Sequence, residues 1–189
     1  MLRSTWNRAL IVLLIVSSVG ITAGYSQDLE KGEAEATAQV GLVAGIGTHA
    51  SIAGSLGAAV KERVFAFGEF SYIPLGGGTI EAFGFRSGGS ARAFGFNFGG
   101  QYLFPKSGTW APYAGGSLQI LHSSVSYSAT IQGSSVSGSS SGTDVYVGLG
   151  GGARYYTSGP WGVKPEVMLF VGNNTYVRLG VGLFYQFRN

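Results

Sequence analysis

The chain has 189 residues, no cysteine, 33 glycines and 11% charged residues against 45% hydrophobic ones. That supports one domain with a core, and it excludes a disulfide framework, a Cys-ligated metal, a thiol nucleophile, intrinsic disorder and, without a Gly-X-Y period, collagen. Twelve Lys/Arg stand against nine Asp/Glu, falling to ten against nine from Gln27 onward, and no basic run gives nucleic-acid binding a footing.

Residues 1–8 carry Arg3 and Arg8 and no acid. Residues 9–16 (ALIVLLIV) are continuously apolar, and small residues follow through Gly24. This is the order of a secretory signal peptide, and it predicts cleavage near residues 24–26. A membrane anchor would need about 20 predominantly apolar residues, and serines break this run after eight. The first segment is therefore read as a signal peptide over 1–26. Residues 27–35 follow as a charged, solvated periplasmic tail, and a barrel domain over 36–189.

From residue 36 no segment keeps the 3.6-residue period for three turns, whereas alternation persists. Eight strands are expected. Residues 36–47 and 52–60 are the first two. Residues 64–72 carry aromatics on both faces, so their facing stays open. Residues 91–104 set Phe94, Phe96, Phe98 and Tyr102 against Asn97 and Gln101. Residues 111–122 set Leu118 and Ile120 against Tyr113, Ser117 and Gln119. The last three are clearest. Val145, Val147 and Leu149 oppose Gly148, Gly150, Gly152 and Arg154. Val163, Val167 and Leu169 oppose Lys164 and Glu166. Val177, Leu179, Val181, Leu183, Tyr185 and Phe187 oppose Arg178, Gly180 and Gly182.

The connections at residues 61–63, 105–110 and 157–162 are short. Residues 76–90 and 123–143 are long, polar and rich in Gly and Ser, and the second also alternates in a way that would extend its hairpin. Short turns at one end and long loops at the other are the outer-membrane barrel pattern. The fold class expected is all-β: an eight-stranded antiparallel up-and-down transmembrane β-barrel. In hydrocarbon a spanning sheet must close, because every backbone polar group needs a partner. Eight strands leave an interior just wide enough for side chains.

Inward glycines make room for inward Arg154, Glu166 and Arg178, with Glu69 joining from the third strand. An Arg154–Glu166 ion pair is expected, because a buried charge needs a partner. These charges are expected to plug the lumen rather than conduct. Trp110, Trp161, Tyr185 and Phe187 are expected at the interface between lipid tails and water, with Phe104, Tyr155 and Tyr156 near them.

With these features the chain resembles the small OmpA-type outer-membrane β-barrels over about residues 36–187. Members of that family usually end on an aromatic residue read by the barrel-assembly machinery. Phe187 matches, followed here by Arg188 and Asn189. The resemblance implies the bacterial outer membrane as location. It implies outer-membrane lipid and lipopolysaccharide as partners, with the assembly machinery during insertion. No cell-wall-anchoring domain is expected after the barrel.

His122-Ser123-Ser124 resembles the His-x-Ser motif of outer-membrane lipid A deacylases, with His122 as base, Ser124 as nucleophile and Asp144 across the long loop. Residues 45–50 match a loose G-x-G-x-x-A pattern, but Gly54 and Gly57 deny it the helix that dinucleotide binding needs. His49 and His122 have no carboxylate at ligand spacing, so no metal and no cofactor are expected. Arg86 and Arg92 flank a long loop and could meet lipopolysaccharide phosphates. The reading adopted is a non-catalytic barrel with a structural or surface-interaction role. The alternatives are a lipid A-modifying esterase, or a soluble lipocalin-like exported barrel with its apolar face turned inward.

Overall fold

The computed structural model describes residues 32–45, 47–82, 85–106, 108–131 and 134–187. The signal peptide, residues 27–31 of the tail, Arg188 and Asn189 lie outside the described residues. Eight strands follow in chain order: β1 (Ala34–Ala44), β2 (Thr48–Lys61), β3 (Val64–Ala82), β4 (Phe85–Leu103), β5 (Trp110–Ile131), β6 (Ser134–Tyr156), β7 (Trp161–Val171) and β8 (Thr175–Phe187). Each pairs antiparallel with its chain neighbour, and β1 pairs with β8 from Ala34↔Phe187 to Ala44↔Val177, closing the ring. Both ends of the described chain thus lie at one end of the barrel.

Alternation decides which face is inside. In β8 every second residue from Tyr176 to Gln186 is buried, while Leu179, Leu183 and Phe187 are half exposed or more. β6 does the same, with Val145, Val147 and Leu149 outward and Tyr146, Arg154 and Tyr156 buried. The facing of β3, open in the sequence, is settled here. Phe65, Glu69 and Ser71 point inward and Phe70 outward. The barrel therefore has a greasy exterior and a filled, largely polar interior. A soluble ligand-binding barrel needs the reverse.

Glycine accounts for part of the filling. A Cβ at Gly148 would lie 2.8 Å from the Phe170 ring, and one at Gly152 would lie 2.7 Å from the Tyr113 hydroxyl. These glycines give up side-chain volume on β6 so that large inward neighbours on β5 and β7 can meet across it.

Two expectations need correction. Residues 76–90 are not a long loop, and residues 123–143 extend their hairpin as their alternation suggests. They are mostly strand, paired from Gly76↔Ala91 to Ala82↔Phe85 and from Ser123↔Gly142 to Ile131↔Ser134. β4 and β5 also pair along this whole stretch. Gly and Ser are poor strand formers, but pairing between neighbours overrides that preference. Second, β1 begins at Ala34, so Glu35 is not part of a solvated tail. It is buried inside the ring.

Candidate functional site

The lumen is filled. Toward the end where the chain termini lie, Phe65, Leu103, Tyr113 and Ala59 form one apolar cluster, and Ala111, Tyr156 and Phe184 another. Toward the other end Val43, Ile73, Ala93, Leu121, Tyr146, Met168, Phe170 and Tyr176 form a third. An ionic network interleaves with them, Arg154 standing opposite Ala111 and Arg178 opposite Val43 and Met168. Among the described residues, the buried charges are Glu35, Glu69 and Glu166 against Arg154, Lys164 and Arg178. Three of each sign make the lumen formally neutral.

The strands deliver these groups from around the ring. Arg154 on β6 donates from Nη1 to Glu35 Oε2 on β1 at 2.9 Å, and from Nη2 to Gln101 Oε1 on β4 at 2.9 Å. Its guanidinium carbon lies 4.4 Å from the Phe65 ring centre, a cation–π contact in a dry site. Arg178 on β8 donates to both oxygens of Glu69 on β3, at 2.5 and 3.1 Å, and to Glu166 Oε1 on β7 at 3.1 Å. The Tyr113 hydroxyl donates to Glu166 Oε2 at 2.9 Å, and Asn97 Nδ2 to Glu69 Oε1 at 3.4 Å. Gln101 Nε2 reaches Glu166 Oε2 at 3.5 Å and so links the two halves of the network.

The expected Arg154–Glu166 pair does not form. The β6–β7 register sets Glu166 opposite Gly152, which leaves it nearer Arg178 and Tyr113. Arg154 reaches across the lumen to β1 instead. Glu35, Lys164, Gln101 and Tyr113 join these charges beyond the set that alternation points to. The signal for Glu35 was available: it shares parity with Thr37 and Gln39, opposite Val40 and Leu42. A charged run in the flanking sequence masks that parity.

Aromatics gather outside the terminus-side end. Trp161 stacks edge-on to Tyr185 at 4.8 Å, Tyr185 to Phe187 at 5.0 Å, and Trp110 tilts on Tyr155 at 4.9 Å. Tyr156, grouped with them in the sequence, faces inward and packs on Phe184.

The candidate catalytic set does not converge. His122 and Ser124 share the outward face of β5, but His122 Nδ1 bonds Thr143 Oγ1 at 2.9 Å. Asp144 lies on the opposite face of β6 from Thr143 and accepts from Asn173 Nδ2 at 2.5 Å. Among the described contacts of His122 and Asp144, the acid does not orient the histidine, so these three do not form a relay. Arg92 stands opposite Ser124 and lies 5.9 Å from the Phe94 ring centre. The side chain of Arg86 lies outside the described residues. Among the described residues no cluster of three metal-ligating side chains occurs.

No protein-family model matches the sequence, and no curated protein does either. Solved structures do match. The Neisserial surface protein NspA aligns at a TM-score of 0.57, with 16% identity over 82% of this chain and 96% of its own. The N-terminal β-barrel domain of Pseudomonas aeruginosa OprF gives 0.54, 15%, 85% and 100%. The attachment invasion locus protein Ail of Yersinia pestis gives 0.55, 14%, 84% and 100%. The fold is that of a small outer-membrane β-barrel. At such identities the likeness carries the architecture alone, because one fold hosts many roles.

Proposed function

We propose that this chain is a non-catalytic barrel of the bacterial outer membrane, exported by the signal peptide at 1–26, whose role is structural or surface-interacting. The observation that supports it most is the polarity of the closed ring, apolar outside and ionic inside. The filling of the lumen by apolar clusters and a formally neutral ionic network argues against conduction, since eight strands leave no bore beyond the packed side chains. The dispersal of His122, Ser124 and Asp144 argues against the esterase reading. In this account the terminus-side aromatics sit at the periplasmic interface, and β3–β6 rise from the outer face. Outer-membrane lipid and lipopolysaccharide surround the barrel, and the assembly machinery inserts it.

The test is expression of the full precursor in a bacterium with separation of the two membranes. The expected result is a chain recovered in the outer membrane, beginning near residues 25–27, with lipid A acylation unchanged. Recovery in the soluble periplasm, or deacylated lipid A, would overturn the reading.

A further inference from the structure

Four strands outrun the rest of the wall. β2 leaves β3 after Tyr72, and β7 leaves β6 beyond Val147. Past those points β3, β4, β5 and β6 continue as a four-stranded sheet to their hairpin ends. Such a sheet has two free edges, each a row of unpaired backbone donors and acceptors.

The two edges are unlike. On β3 the free edge carries Pro74, a register shift between Pro74 and Gly76, and Gly76 at φ 103°. A proline and a bulge are devices that keep an edge from pairing. On β6, residues 134–143 (SSVSGSSSGT) hold no proline, no charge and no bulge. At about 3.3 Å per residue this edge is roughly 30 Å long. Among the described residues no strand pairs with it on its β7 side.

We propose that this β6 edge is a pairing strand, and that its occupant is the same edge of a second copy of the chain held in an opposed membrane. This rests on the outer-membrane reading above. Geometry selects the occupant. Two like edges pair only antiparallel, about a two-fold axis perpendicular to the sheet. A copy in the same membrane runs its β6 in the same direction and cannot pair that way. It can offer only its β3 edge, which is blunted. A copy facing from another membrane presents β6 reversed. Charge agrees, because an uncharged edge meets its own copy without repulsion, as an edge bearing like charges would not. The strand is already extended in the sheet, so pairing orders little that was free. Val136, 66% exposed on this edge, gains apolar cover.

The mature full chain is reconstituted in phosphatidylcholine vesicles, and clustering is followed by light scattering. Two double variants carry charge on the exposed edge: Ser137→Lys with Ser139→Lys, and Ser137→Glu with Ser139→Glu. Native vesicles are expected to cluster, vesicles of either variant alone to stay dispersed, and the two variants mixed to cluster again. Thr79→Lys, at the β3 edge, is expected to leave clustering unchanged. Dispersed native vesicles, variants that cluster alone, a mixture that stays dispersed or a loss with Thr79→Lys would each overturn the proposal. The electrophoretic shift on boiling is read on every sample. If it is present without clustering, pairing fails and the barrel stands. If the native chain lacks it, the membrane reading fails and takes the pairing with it.

Discussion

Arg154 and Glu35 are 119 residues apart in the chain and meet at 2.9 Å inside the barrel, both almost wholly buried. The contact joins β6 to β1 across the lumen, so it forms only when the ring is closed. It is a long-range reporter of the fold.

Removing one partner is expected to be worse than removing both. Glu35→Gln leaves the Arg154 guanidinium without its carboxylate in a dry site, at a cost of about 3–5 kcal/mol. Adding Arg154→Met should recover most of that loss, because a flexible apolar side chain then fills the space. Urea unfolding of the refolded barrel in detergent, followed by tryptophan fluorescence, measures both. Equal midpoints for native protein and Glu35→Gln would contradict the pairing.

Two glycines make a matched test of the filled lumen. A Cβ at Gly152 would press on Tyr113, whereas Gly68 has nothing within 4 Å of the same position. Gly152→Leu is expected to prevent folding or cost at least about 1–3 kcal/mol through overpacking. Gly68→Leu is expected to fold with near-native stability. Folded yield under identical refolding compares them.

Trp161 and Trp110 are the tryptophans of the described barrel, and both face outward, at 57% and 38% exposure. Aromatic rings favour the level of the lipid headgroups. Lipids brominated near the carbonyls should therefore quench Trp161 more strongly than lipids brominated near the chain ends. The reverse order would place the girdle at the wrong depth.

His122→Ala and Ser124→Ala are expected to leave lipid A acylation and barrel stability unchanged. The His122 ring bonds the exposed Thr143 hydroxyl across the strand pair, at the surface of the barrel. Mass spectrometry of lipid A from overproducing cells is the readout. Deacylation by the native chain that either substitution abolishes would restore the esterase reading.

The last three strands are legible in the sequence because their alternation is undiluted: Val177 to Phe187 runs six apolar residues without a break in parity. Closure follows from physics, since a lipid-embedded sheet cannot leave an edge. The ion pairing is not legible at that level. Which carboxylate meets Arg154 depends on strands distant in the chain and on a one-residue register, which parity cannot give. The sheet extension is half legible, since Val125, Tyr127, Ala129 and Ile131 alternate on the β5 side while the β6 side gives no such signal. Residues 134–143 have the composition of a loop, and only pairing with β5 makes them a strand.

A closed barrel seated in the outer membrane is read out by electrophoretic mobility before and after boiling. Outer membranes from cells expressing the full precursor are run in SDS, unboiled and boiled. The expected result is a membrane-embedded band that migrates differently after boiling, because the closed ring resists detergent until heated. A chain found in the soluble periplasm, with one mobility under both conditions, would contradict it.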